Sequence, residues 1–139
     1  FSRVEPEFKE KVEFLSRERL LEMEETEVSA FVKNQVGEYP LYISIDKDVL
    51  CETDADTNWS QGDMRLSTML ECLGAVKEKC AERISRILGV DICGECDVTE
   101  PGNSALNDMA NAALLEFFTS TDVGEDIEEN KNGTTGGNG

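Results

Sequence analysis

Two short apolar runs, separated by a stretch with helical periodicity, constrain the fold of this chain more than any other feature. Leu41–Asp46 and Ile87–Cys93 are rich in β-branched and other apolar side chains, which is typical of buried strands. Between them, residues 66 to 80 place their apolar side chains on one helical face. Two strands joined through a helix of this length form a βαβ unit, in which the strands run parallel in one sheet. The predicted fold class is therefore α/β.

The rest of the chain adds helices on both sides of this unit. Pro6–Val36 has helical spacing, although Val12–Leu15 also fits a short strand, and residues 47–62 form a long polar loop. Asp63, just ahead of the central helix, is predicted to be its N-cap. A last helix is predicted over Ser104–Phe118. Its expected core face comprises Leu106, Met109, Ala110, Ala113, Leu114 and Phe117. We predict one folded unit in residues 1–120 and an acidic, glycine-rich, disordered tail in residues 121–139.

The charge of the chain limits its partners. Its 139 residues include 13 Lys and Arg against 30 Asp and Glu, a formal net charge of -17. Such a chain repels nucleic acid and anionic membrane surfaces and attracts cationic ligands and metal ions. No apolar run approaches the roughly 20 residues of a membrane span, and the N-terminal residues lack the apolar core of a signal peptide. We therefore expect a cytoplasmic protein with a small cationic partner, neither nucleic acid nor membrane. Assembly into a homo-oligomer is compatible with these features.

Five cysteines form an odd set, which favours reduced thiols in the cytosol. Cys93 and Cys96 form a single CxxC motif. A zinc ribbon requires a second such pair, and thioredoxin chemistry requires the motif at a helix N-terminus. Here the motif follows a predicted strand, so we interpret both cysteines as small core side chains.

The first strand runs directly into Asp46 and Asp48. If the strand continues through both residues, their carboxylates lie on one face and Lys47 on the other. Two neighbouring carboxylates repel each other, and a divalent cation relieves that repulsion. Ligands of parallel α/β sheets bind at the carboxyl ends of the strands, where this pair lies. The alternative is an ordinary solvated junction between a strand and a loop.

The segment Ser44–Leu50, SIDKDVL, resembles the Ser-x-Asp-x-Asp strand of the arginase and agmatinase (ureohydrolase) family. The order of the later elements is also similar: a loop, a helix, a strand that ends near Glu95, and a long closing helix. The resemblance covers roughly residues 10 to 120 and identifies them as the C-terminal portion of an arginase-like domain.

This resemblance implies a three-layer α/β/α fold and a pair of manganese ions. Asp46 would bridge both ions, Asp48 would bind one, and Glu95 would be the catalytic-site residue that orients the substrate. A hydroxide between the ions would attack the carbon of a guanidino or amidine group, so the expected activity is manganese-dependent hydrolysis of C–N bonds. An acidic pocket suits such a cationic substrate.

Several residues depart from the family pattern. Lys47 replaces an apolar residue, so it must either lie beyond the buried part of the sheet or have an acidic partner. Glu95 follows Asp91 by four positions where arginases have three, and Cys51-Glu52 replaces the usual Asp-Pro. The family also uses histidine ligands upstream of this strand, whereas this sequence contains no histidine. We therefore expect a fragment that is inactive alone. The alternatives are a non-catalytic arginase-like binding or structural protein and an unrelated acidic α/β interaction domain.

Overall fold

The computed structural model describes residues 6–82, 87–96 and 104–120, and within these ranges the chain is a mixed α/β protein. Both predicted strands are present with the first and last residues that the sequence indicated. Residues 12–16 form neither helix nor strand, so the short strand considered there is absent. The elements in chain order are α1 (Pro6–Lys9), α2 (Arg17–Glu22), α3 (Glu25–Gln35), β1 (Leu41–Asp46), a 3-10 turn (Lys47–Val49), α4 (Leu66–Glu82), β2 (Ile87–Cys93) and α5 (Ser104–Thr119).

The two strands pair in parallel, as the predicted βαβ unit requires. Ser44 lies beside Asp91 and Asp46 beside Cys93, so the carboxyl ends of both strands meet at one edge of the sheet. One face of this sheet packs against the helices. The opposite face carries Tyr42, which is 65% accessible, and Leu88, the unpaired residue where the register shifts, is 67% accessible. The described part of the chain therefore covers its sheet on one side only.

The core lies between the covered face of the sheet, α4, α5 and the loop that follows the 3-10 turn. Burial of these apolar side chains is the main favourable contribution to folding. The buried cluster comprises Ile45, Leu50, Ala55, Met69, Leu73, Ala110 and Leu114.

The N-terminus of α4 is capped from a distant part of the loop. Asp54 accepts a hydrogen bond from the backbone N–H of Leu66 at 2.8 Å and pairs with the Arg65 guanidinium. The cap predicted at Asp63 is wrong, because the Asp63 carboxylate pairs with Arg17 on α2 instead. The hydrogen bonds from Arg65 and then Leu66 hold the pKa of Asp54 below its ordinary value.

We expect Asp54→Ala to lower the free energy of unfolding by about 1–2 kcal/mol at pH 7, as the loss of a helix cap usually does. A carboxyl group whose pKa falls on folding stabilises the protein above its unfolded pKa of about 4, and this contribution disappears as the pH falls through the folded pKa. Denaturation at pH 7 and in steps below pH 4 should therefore show the difference between variant and wild type shrinking with acid. Asp108→Ala removes an exposed carboxylate of α5 and is the control; a pH-independent difference at Asp54 would contradict this account.

The packed face of α5 includes the predicted Ala110, Leu114 and Phe117 but not Met109. Met109, expected in the core, is 69% exposed, whereas Asn107 is 1% exposed. The Asn107 side chain accepts from Asp56 N at 2.9 Å and donates to Asp56 O, so it satisfies both backbone groups of that loop residue. Hydrogen bonds from Asn107 to the loop thus help to determine which side of α5 faces the core. Apolar periodicity alone does not predict these hydrogen bonds.

All five cysteines are free, as expected, but Cys93 is exposed and Cys96 half-buried, so the interpretation of this pair as core side chains is wrong for Cys93. None of the helices in the described ranges combines the length and apolar character needed to cross a bilayer. The predicted disordered tail, residues 121–139, lies outside the described residues.

Candidate functional site

The three acidic residues singled out from the sequence lie at the edge where both strands end. Asp46 is the last residue of β1, and its partner in the sheet is Cys93, the last residue of β2. The turn at Asp46–Asp48 therefore lies beside the segment that carries Gly94 and Glu95. This is the edge at which ligands bind in parallel α/β sheets.

Asp46 and Asp48 are connected by a turn rather than by an extended strand. β1 ends at Asp46, and Lys47–Val49 form a single 3-10 turn. Asp46 Oδ1 accepts a hydrogen bond from the Asp48 backbone N–H at 3.1 Å. The expectation that an extended strand places both carboxylates on one face is thus wrong. The Asp46 side chain accepts a hydrogen bond from the backbone amide two residues later, and this contact favours a turn.

Asp48 carries an unusual polar atom. Its Oδ1 is buried and has no hydrogen-bond partner among the described residues. Buried polar atoms in folded proteins almost always have a partner, since an unsatisfied group costs about 1–3 kcal/mol, and more when it is charged. Asp46, next to it, is exposed. One carboxylate that faces solvent and one with an oxygen that lacks a partner form an arrangement that a cation would stabilise.

Gly94 is required for this turn to lie against the end of β2. Its φ of 82° lies in the left-handed region that glycine adopts without strain. A Cβ at this position would approach Asp46 Oδ1, Lys47 N and Asp48 N to 2.9 Å each. The backbone of residue 94 thus fills the space beside the turn, and no larger residue fits there.

Lys47 is fully buried and connects three elements. Its side chain is 0% exposed, and Nζ donates to Glu95 Oε1 at 2.5 Å and to Asn111 Oδ1 at 2.8 Å. Asn111 on α5 also donates to Glu95 Oε1, at 3.1 Å. The sequence left two places for Lys47, beyond the buried part of the sheet or beside an acidic partner, and the second is correct.

These contacts keep Glu95 ionised. Partial burial acts to raise the pKa of Glu95, but the hydrogen bonds from Lys47 and Asn111 and the positive charge of Lys47 outweigh it. The pKa of this carboxyl group therefore lies below its ordinary value. Glu95 is negatively charged at neutral pH, and 54% of its side chain is accessible.

Cys93 lies at the same edge but is a poor candidate for a nucleophile or metal ligand. Its Sγ donates to Ile45 O at 3.4 Å. Desolvation, followed by the negative charges of Asp46 and Asp91, raises the pKa of this thiol. The raised pKa keeps Cys93 a neutral thiol at neutral pH, whereas the thiolate is the form that reacts and binds metals.

The donor set at this edge fits part of a metal site. Carboxylate oxygens are suitable donors for Mn²⁺, and Asp48 Oδ1 lacks any other partner. Residues 6–82, 87–96 and 104–120 nevertheless contain no group of three or more His, Cys, Asp or Glu side chains arranged to hold a metal ion. Asp46 and Asp48 would therefore be two ligands of a larger set, whereas Glu95 is paired with Lys47.

A cavity of about 820 Å³ lies elsewhere, between α2, α3 and the N-terminal half of α4. Apolar side chains such as Leu20, Val28 and Ala75 line it, whereas Asp46, Asp48 and Glu95 do not. This cavity and the acidic edge are thus separate features, and among the described residues the unsatisfied buried side-chain atom lies at the edge.

Sequence reasoning identified Asp46, Asp48 and Glu95 but missed two residues that build the edge. Asn111 was treated as part of an apolar helix, although an amide on the inner side of a helix usually has a polar partner. Gly94 lies inside the CxxC motif formed by Cys93 and Cys96, and the motif itself does not indicate this role. Its position directly after a predicted strand was the available signal, because glycine there often permits a left-handed residue or a close backbone approach.

The fold and this edge define a parallel α/β protein with carboxylates gathered where its strands end. Over 85 residues, 60% of its length, the chain is 35% identical to an uncharacterized protein of Thermotoga maritima. The aligned stretch is 32% of that relative, so the chain spans about a third of it. No protein-family profile matches the sequence, and no solved structure is similar to it.

Proposed function

We propose that this chain supplies Asp46 and Asp48 to a manganese site of an arginase-like hydrolase that cleaves C–N bonds of a guanidino or amidine substrate. The observation that carries the proposal is the buried Asp48 Oδ1, which has no partner among the described residues, next to the solvent-facing Asp46 at the carboxyl end of β1. A divalent cation would satisfy that oxygen and offset the repulsion between the two carboxylates.

The uncovered sheet face supports a larger, three-layer architecture. Tyr42, on the face opposite the core, and Leu88, at the register shift of β2, are each about two-thirds exposed, and an α/β sheet is normally covered on both sides. In the proposed α/β/α fold, a further helical layer covers these side chains. The same additional residues would complete the ligand set, which in this sequence contains no histidine.

Each of the three acidic side chains has a distinct part in the proposed reaction. Asp46 and Asp48 would hold the metal ions, and the metal would supply the Lewis acidity that activates water. Glu95 is ionised and accessible, so it binds and orients the cationic group of the substrate at the strand ends. The acidic chain as a whole attracts such a substrate, and its five free cysteines fit a cytoplasmic protein.

We expect Asp46→Asn and Asp48→Asn each to weaken Mn²⁺ binding by the full-length protein at least about 100-fold, since loss of a residue that merely supports a ligand already costs 10–100-fold. Titration of free Mn²⁺ by electron paramagnetic resonance measures this. Asp108→Asn makes the same change on the exposed side of α5 and should leave binding unaltered. Unchanged titrations in both variants would remove the metal site.

Activity separates the proposal from its alternative. With saturating Mn²⁺, the full-length protein is expected to release urea or ammonia from arginine, agmatine or guanidinobutyrate, and the Asp46→Asn and Asp48→Asn proteins are expected to release neither. The 139-residue chain alone should be inactive. Mn²⁺ binding that depends on both aspartates, without turnover of any guanidino compound, would instead indicate a non-catalytic, arginase-like binding protein.

A further inference from the structure

We infer that Lys47 is a specificity-determining, positioning residue, which occupies one oxygen of Glu95 and leaves only the other to bind the cationic group of the ligand. The inference deepens the proposed function and rests on it in one respect, that the ligand of Glu95 is a cation. Its basis is the buried contact between Lys47, Glu95 and Asn111.

The hydrogen-bonding capacity of Glu95 is divided unequally between its two oxygens. A carboxylate offers about four acceptor sites, two on each oxygen. Lys47 Nζ at 2.5 Å and Asn111 Nδ2 at 3.1 Å both donate to Oε1, which fills that oxygen. Oε2 makes no hydrogen bond within the described residues, and 54% of the Glu95 side chain is accessible. The carboxylate is thus fixed at one oxygen and open at the other.

Burial makes this arrangement rigid. Lys47 is 0% exposed, so its ammonium cannot leave Glu95 and find water without unpacking the edge of the core. Asn111 Oδ1 accepts from the same ammonium at 2.8 Å, which closes a triangle of three hydrogen bonds. An exposed ion pair would exchange with solvent and leave Oε1 available part of the time, whereas this pair does not.

The consequence concerns which cations the site distinguishes. A guanidinium group binds a free carboxylate most strongly by two parallel N–H···O bonds, one to each oxygen. With Oε1 occupied, that paired geometry is excluded, and a guanidinium binds Oε2 end-on, as a primary ammonium does. Glu95 therefore provides charge and direction but little preference for the planar guanidinium, and other contacts must select it.

The test compares methylguanidinium with methylammonium as probes, by NMR titration of the full-length protein without added metal. In the wild type the two dissociation constants should lie within about threefold of each other, and Glu95→Gln should weaken both. In Lys47→Met the second oxygen becomes free, so both probes should bind more tightly and methylguanidinium should gain about tenfold over methylammonium, a typical effect of one additional charge-assisted hydrogen bond.

Two further variants keep the test decisive. Asn111→Ala frees one acceptor site of Oε1 and should shift the preference in the same direction by about threefold, even if Lys47→Met does not fold. Lys77→Met removes a lysine that donates to Phe117 O and Ser120 O rather than to Glu95, and should leave the ratio unchanged. A merely structural role of Lys47 would change both affinities equally and leave their ratio constant.

Three results would overturn the inference: a constant ratio in Lys47→Met and Asn111→Ala, a wild type that already prefers methylguanidinium tenfold, or probe binding that ignores Glu95→Gln. None of these depends on the metal site, because the probes are titrated without metal. Conversely, loss of the manganese proposal through Asp46→Asn and Asp48→Asn leaves the probe ratios intact, so the two failures are distinguishable.

Discussion

Gly62→Ala is expected to lower the free energy of unfolding by about 3 kcal/mol, the upper end of the usual cost of overpacking. A Cβ on residue 62 would lie 2.0 Å from Val49 O and 2.3 Å from Val49 C. Both are backbone atoms, so no side-chain rotation relieves the overlap. The segments around Val49 and Gly62 are joined by hydrogen bonds from Met64 N to Val49 O and from Cys51 N to Met64 O. These hydrogen bonds would have to lengthen or break.

Denaturant unfolding of the full-length protein measures this effect, and Gly74→Ala is the matched control. Gly74 lies inside α4, and a Cβ there would meet nothing within 4 Å. Alanine is favoured over glycine in a helix interior, so this variant should gain about 0.5–1 kcal/mol. Val49 also ends the turn that carries Asp48, so if the proposed manganese site exists, Gly62→Ala should weaken Mn²⁺ binding as well. A Gly62→Ala protein as stable as the wild type would mean that residues 49 and 62 are not in contact.

Lys47→Ala is also expected to lower the free energy of unfolding by about 3 kcal/mol. Removing one partner of a buried ion pair costs about 3–5 kcal/mol, because the remaining charge stays buried without compensation. Glu95 is 54% exposed and can regain water, which places the expected cost at the lower end of that range. The cavity left by the lysine methylene groups adds to it.

Two comparisons separate the causes of this loss. Lys47→Met fills the cavity but removes the charge, so it should recover part of the stability lost in Lys47→Ala. Lys33→Ala breaks an ion pair with Glu78, whose side chain is 61% exposed, and should cost under about 1 kcal/mol. If Lys47→Ala costs no more than Lys33→Ala, then Lys47 is solvated and the arrangement at Glu95 is not rigid.

The strands and helices of the chain followed from local sequence patterns. Leu41–Asp46 and Ile87–Cys93 form strands within the expected bounds, and α4 and α5 begin at the predicted residues, Leu66 and Ser104. Such elements depend on hydrophobic periodicity and on residue types that are neighbours in the chain, and both are visible in the sequence. The parallel pairing followed as well, since a long helical connection between two strands leaves few other arrangements.

Contacts between distant residues did not follow from local patterns. Asp54 rather than Asp63 caps α4, and Asn107 rather than Met109 lies in the core, because each has a partner outside its own turn or helix, Leu66 for Asp54 and the loop residue Asp56 for Asn107. Periodicity predicts which face of a helix is apolar, but a buried hydrogen bond can rotate that face. The energy of one satisfied or unsatisfied polar group is comparable to the burial of a side chain, so such contacts decide the final packing.

At the candidate site, the sequence by itself determined which charged groups are present and that they follow the ends of two parallel strands. The tertiary structure decided how they are arranged. Glu95 reaches Lys47 across 48 positions of the chain, and Gly94 admits the turn that leaves Asp48 Oδ1 buried without a partner. The physical reason is that strand order places residues at an edge, whereas burial and hydrogen-bond partners depend on every element packed against that edge.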